Sequence, residues 1–339
     1  MTPSFQQLES AFQDSLEGFL WDQWVSIGLA GVARYGFVPF VIDPEALLLA
    51  TTQFARHDSR FMEEVLDWVE WRGQLLSVQR IKNFHSNPGI GSAPVLTEIA
   101  EIVSHSRQKH WKTLLSLEEM KPKTKELPVY GKDIELRGMS VAPDPNDGES
   151  FLFRMRAIFG VNARAEVLTW LLTHDSGHPA RIARETGWFS KSVQTILNDL
   201  ESSGLVDAQR SDREKHFRLE RGKWLHLLQP QENLQWFTQP PFYLACSYML
   251  QTLRTLGRAD DSSAGLQSIL IRENITATQA ALRLSGNGEW FSGFQRLSGE
   301  ALIVRFVEAV KQISRVLNVE RERLPVRALP PDSQDQSPL

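Results

Sequence analysis

Lys191, Gln194, Thr195 and Asn198 recur at i, i+3, i+4 and i+7, the spacing of one face of a helix. That face is polar and hydrogen-bonding but carries a single charge. A helix that needs only solvation usually shows Glu and Lys there. The side-chain amides of Gln and Asn pair bidentately with base edges, and Lys and Thr bond bases or phosphates. Downstream, Arg210, Arg213, Lys215, His216 and Arg218 cluster within nine residues, with the chemistry to lie along a phosphate backbone.

The elements that must position these residues follow in order. Asn162 is placed to cap a helix whose core residues are Val167, Leu168, Leu171 and Leu172. His174–His178 reads as a loop, and Pro179 opens a short helix, PARIARETG, with Ile182 and Ala183 inward. Gly187 supplies the positive φ of a tight turn. Ser190 is expected to cap the next helix, SKSVQTILNDLESSG, whose apolar stripe is Val193, Ile196, Leu197 and Leu200. Gly204 stops it. Leu205–Arg210 and Lys215–Glu220 then read as two short strands around Ser211-Asp212-Arg213-Glu214.

This order of parts resembles a winged helix-turn-helix domain of the bacterial ArsR/MarR regulator type. Ala183, Gly187 and Val193 match its small residue, turn glycine and branched apolar residue at spacings of four and six. Ile182 and Ile196 match the adjoining core positions, and ESSGLVDAQRSDREKHFRLE is similar to its helix end and wing. The resemblance covers about residues 155–225. It implies that the second helix docks in the major groove of double-stranded DNA and that the wing lies on adjacent phosphates. Ser190, Lys191, Gln194, Thr195 and Asn198 are then the helix contacts, and Arg210, Arg213, Lys215 and His216 the wing contacts. Operators of such folds are usually palindromic, which implies a homodimer. The alternative is that the winged helix binds a protein, as a scaffold or as an antitoxin or defence-system component. Over residues 181–223, nine Lys/Arg face seven Asp/Glu, so non-specific attraction to a polyanion is weak and specific contacts must matter.

Other clusters read more plainly. His174, Asp175 and His178 form an H-D-x-x-H group, but Gly177 and Pro179 make it a loop with no third ligand, so no metal is expected. Arg80 and His85 resemble the R-x4-6-H pair of HEPN ribonucleases. Two fixed residues match by chance often, and a solvated, basic helix end is the preferred reading. Arg107, Lys109, His110, Trp111 and Lys112 read as a helix C-terminus favoured by its dipole, with Trp111 in the core. Cys246 sits in an apolar helical pattern and reads as packing. The aromatic stretches Asn233–Phe237 and Glu289–Phe294 read as core anchors. No phosphate-binding loop, dinucleotide fingerprint or nucleophile elbow appears, so neither an enzyme nor a cofactor is expected.

Composition frames these readings. The chain has 339 residues, 42% apolar and 23% charged, with a formal net charge of −4. These values fit a globular protein of two or three domains and argue against wholesale disorder. One cysteine excludes an intramolecular disulfide and four-Cys metal sites, and it fits a reducing compartment. MTPSFQQLES shows neither the basic nor the apolar region of a secretory signal, and no apolar run reaches membrane-spanning length. A cytoplasmic location with no membrane partner is expected.

The flanks read as helical. Phe5, Leu8, Phe12, Leu16 and Phe19 line one face, and Asp43-Pro44 opens another helix. Asp58 or Ser59 starts a third, which Gly73 is expected to end as a left-handed residue. Helices are also expected at Val78–Phe84, Pro94–Leu115, Phe242–Leu256, Ser263–Arg272, Thr276–Leu284 and Gly299–Leu317. Phe242–Leu256 and Gly299–Leu317 are candidate dimer or partner surfaces. The expected layout is mainly α. It has a helical N-terminal domain at 1–120, a linker at 121–150 and a winged helix at 151–228 with a small β-hairpin. A helical C-terminal domain at 229–324 and a disordered tail at 325–339 complete it.

Overall fold

The computed structural model describes residues 4–33, 38–120, 136–211, 214–220, 222, 224, 228, 234–260 and 262–318. Over these residues the protein is mainly helical, with one antiparallel two-stranded sheet. Among them no helix is long and apolar enough to cross a membrane.

The contacts divide the chain into two compact units. The described parts of Met1–Val38, Ile42–Asp144 and Phe237–Pro325 form one. It contains α1 (Phe5–Ser26), α2 (Pro44–Phe54), α3 (Ser59–Arg72), α4 (Val78–Ser86) and α5 (Ala93–His105), followed much later by α10 (Gln239–Arg258), α11 (Ala264–Leu284) and α12 (Gly299–Asn318). The N- and C-terminal helical stretches, separate domains by sequence, therefore share one core. The reason is α1, which packs against both α10 and α12, while α11 packs against both of those. Gln23 on α1 donates to the Tyr243 hydroxyl on α10 at 3.0 Å, across 220 residues of sequence.

Several ends form as their residues dictate. Ser4 and Gln7 make a reciprocal capping box at α1. Asp43 accepts from Ala46 N with Pro44 at the first helical position, and Asp58 accepts from Phe61 N. Gly73 ends α3 in a right-handed conformation, not the expected left-handed one, because the chain tightens directly into a 3₁₀ turn at Gly73–Leu75. The single helix expected over Pro94–Leu115 stops at His105 and resumes as 3₁₀ turns at Lys109–Met120. The two segments expected over Ser263–Leu284 are one continuous helix.

Phe242–Leu256 and Gly299–Leu317 spend their apolar stripes inside this unit. Phe242, Tyr243, Cys246, Met249 and Leu253 are fully buried, as are Leu302, Ala309, Val310 and Ile313. Of the large apolar residues on these two helices, Val304 alone is exposed. Burial pushes the Cys246 thiol up, away from the reactive thiolate. The stretch expected as a linker is described only from residue 136. Arg137 pairs with Glu64, and the Gly138 and Ser140 N–H groups donate to the Asp67 carboxylate at 2.6 and 3.1 Å, so this part is strapped to α3. Residues 121–135 of the expected linker and the tail at 325–339 lie outside the described residues.

Arg80 is the largest departure from the sequence reading in this unit. It is neither a solvated helix end nor half of an exposed Arg–His pair. Its side chain is 0% exposed, donating from Nη1 to Asp43 at 3.1 Å and to Glu45, and from Nη2 to Asp43. Burial pushes the Asp43 carboxyl above its ordinary range, against the pull of Arg80. His85 faces the Ile90 carbonyl instead, at 3.0 Å. Removing the guanidinium strands two buried carboxylates. Arg80→Leu is expected to cost about 3–5 kcal/mol in urea unfolding. Combining it with Asp43→Asn and Glu45→Gln should recover much of that loss.

Candidate nucleic-acid interface

The second unit comprises the described parts of Pro39–Val41 and Pro145–Trp236. It holds α6 (Phe151–Phe159), α7 (Ala163–Leu172), α8 (Pro179–Thr186), α9 (Ser190–Ser202), β1 (Val206–Ser211) and β2 (Glu214–Leu219). The order from α7 onward is the expected one, while α6 has no counterpart in the sequence reading. Asn162 caps α7 through Arg164 N at 2.9 Å. Gly187 ends α8 with φ 74°. Val193, Leu197 and Leu200 enter a core shared with Val167, Leu168, Leu171, Ile182, Val206, Phe217 and Leu219.

Burying that stripe decides what α9 shows to solvent. Lys191, Thr195 and Asn198 are exposed and Gln194 is half-buried. The Gln194 Nε2 donates to Asn198 Oδ1 at 3.0 Å, one helical turn on. This exposed bond holds the two amides side by side and does not use the Gln194 Oε1 acceptor or the Asn198 N–H donors. Thr195 Oγ1 donates back to the Lys191 carbonyl at 3.0 Å. Ser190 is exposed but is not the cap. Phe189 holds the cap position in extended conformation, and its carbonyl accepts from Val193 N at 3.1 Å, so the helix begins one residue before the hydroxyl can serve. No side chain caps this end.

The approach to α9 is anchored by Glu166 on α7. This carboxylate is fully buried and accepts from Arg156 Nε at 2.8 Å, Arg156 Nη2 at 2.6 Å and Trp188 Nε1 at 3.0 Å. One side chain thereby ties α6, α7 and the turn before α9. Glu185 on α8 does the same a turn away, accepting from Trp170 Nε1 and from Arg181 Nε, each at 2.8 Å.

The hairpin runs in register from Val206↔Leu219 to Ser211↔Glu214. It is docked by a reciprocal pair of 2.9 Å bonds between Gly177 and Phe217. A Cβ at Gly177 would meet the Trp170 ring at 2.4 Å, so glycine alone lets this strand approach. Within the expected loop, His174 is buried and stacked on Trp170 at 3.7 Å, and His178 caps α8 through Ala180 N. Among the described residues no group of His, Cys, Asp or Glu is arranged to hold a metal.

The hairpin cations are brought beside α9, but most are matched. Lys215 pairs with Glu201 of α9 and lies over the Phe217 ring at 4.8 Å. His216 sits 3.3 Å from Glu214, and Arg218 3.7 Å from Asp207. Arg210 is exposed at the far end of β1. Arg213 lies outside the described residues. Phe189, Trp188, Glu166 and Gly177 are the residues sequence reasoning missed. The exposed phenylalanine directly before SKSVQ was visible as a signal. The others depend on contacts distant in sequence.

Comparison of the chain with protein-family models, curated proteins and solved structures finds no match.

Two stability outcomes follow from this geometry. Gly177→Ala should destabilise the protein by about 1–3 kcal/mol through overpacking against Trp170. Gln194→Ala with Asn198→Ala should stay within about 0.5 kcal/mol of the parent, because both amides face solvent. Chemical denaturation followed by tryptophan fluorescence measures both.

Proposed function

We propose that the second unit is a winged helix-turn-helix module that binds double-stranded DNA sequence-specifically, in a bacterial-type transcriptional regulator of the cytoplasm. In this reading α9 enters the major groove and the β1–β2 hairpin rests on the flanking phosphates. The observation that carries the proposal is the outward Gln194–Asn198 pair on a helix whose opposite stripe is buried. Its free acceptor and donors suit the N6 amino group and N7 of one adenine. Lys191 and Thr195 flank this pair for neighbouring bases or phosphates.

Charge supports readout over bulk attraction. Lys215, Arg218, Arg164 and Arg181 each have a carboxylate partner. Lys191 and Arg210 remain among the described residues as candidate phosphate contacts; with Arg213, which the sequence reading adds as a third, affinity should fall with salt at a log–log slope of about −3 per monomer. A homodimer would place two such helices on a palindrome, one turn of DNA apart.

The experiment is enrichment of duplexes from a random pool by the full chain, then fluorescence anisotropy at several salt concentrations. The expected result is tight binding to one motif, weakened at least about tenfold by Gln194→Ala with Asn198→Ala, the loss of roughly one bidentate contact. Failure to enrich any sequence, leaving only weak charge-driven binding, overturns the proposal in favour of a protein-binding scaffold.

A further inference from the structure

Phe189 is the most exposed aromatic side chain among the described residues, at 60% against 36% for Trp71. Its stem is nonetheless fixed on both sides. Trp188 N donates to the Ala183 carbonyl at 3.1 Å and Trp188 Nε1 to Glu166 at 3.0 Å. The Phe189 carbonyl takes the first hydrogen bond of α9. A rigid backbone thus holds an apolar ring in water at the N-terminal end of the helix that carries Lys191, Gln194, Thr195 and Asn198.

Resting on the DNA reading proposed above, we infer that Phe189 recognises the C5-methyl group of a thymine in the major groove. Residues at the N-terminal end of a groove-docked helix are those that reach base edges. The thymine methyl is the apolar feature of those edges, and phenylalanine is among the side chains that contact it. The ring has no donor for phosphate. No other large apolar side chain on α8 or α9 is exposed, and the residues that follow it, Ser190 and Lys191, are polar. The inference also selects the polymer. Uracil lacks the methyl group, and the deep, narrow major groove of duplex RNA excludes side chains.

The test uses the full chain and the duplex that the parent protein enriches. Each thymine of that duplex is replaced singly by deoxyuridine, and Kd is measured by anisotropy for the parent, Phe189→Ala and Phe189→Leu. One replacement should weaken the parent about fourfold, the worth of one buried methyl group. Phe189→Ala should lose at least as much on the thymine duplex and nothing further on that deoxyuridine duplex. Phe189→Leu should retain the preference, and circular dichroism should show all three chains equally folded. If Phe189→Ala binds as the parent does, or if the two losses multiply independently, Phe189 is not the methyl contact and a protein partner becomes its target. If the parent enriches no duplex, the DNA reading itself fails and this inference with it. The first failure arises only on a duplex that the parent binds tightly, so the two are distinct.

Discussion

The arrangement of the second unit depends on one buried carboxylate. Glu166 has no exposure to water, and a charge so placed is tolerable only when its lone pairs are filled. Arg156 and Trp188 fill them. Because these partners come from α6 and from the turn before α9, satisfying one group fixes three elements. Glu185 repeats the device with Trp170 and Arg181 on the next helix. Apolar packing alone would hold Val193, Leu197 and Leu200 inward. It would not fix where α9 begins or how rigidly its first residue is held. Directional hydrogen bonds to a buried anion supply that precision.

Electrostatics shape what the exposed face can do. Among the described residues, Lys215, Arg218, Arg164 and Arg181 each sit against a carboxylate, which lowers the unmatched positive charge near α9. Exposed pairs of this kind contribute little stability. In the DNA reading proposed above, their effect is to lower non-specific attraction and leave discrimination to hydrogen bonds and apolar contacts. The Gln194–Asn198 bond fits that role, since it orients two amides before any partner arrives and lowers the entropy lost on binding.

The first unit solves a different problem by similar means. Its helices come from both ends of the chain, and the sequence between them is occupied by the other unit. Arg80, Asp43 and Glu45 form its ionic core, joining the start of α2 to α4. Such clusters gain little over a hydrophobic core of equal volume, but losing one member is severe. Buried tryptophans of this unit serve the same end. Trp24 donates to Thr51 Oγ1 and Trp68 to the Ile27 carbonyl, each at 2.8 Å, so buried rings also act as directional ties.

Local chemistry made much of this legible in the sequence. Helical periodicity marked α1, α2, α3, α7, α8 and α9, and caps or opening prolines marked α2, α3, α7 and α8, because those signals lie within a few residues of what they determine. The hairpin was readable as two short strands around a polar turn, and the polar face at Lys191, Gln194, Thr195 and Asn198 from spacing alone. Burial of Arg80 was not readable, because its partners lie 37 and 35 residues away and a basic residue near a helix end looks solvated. The union of the two helical flanks was invisible for the same reason, with 220 residues separating Gln23 from Tyr243. Phe189 as the cap, and the anchoring of its stem by Glu166, also arose only in three dimensions. Sequence determined the apolar stripes that face inward along most of the elements it marked. Tertiary structure decided which buried charges meet, since pairing of distant ions is a property of the fold and leaves no local pattern.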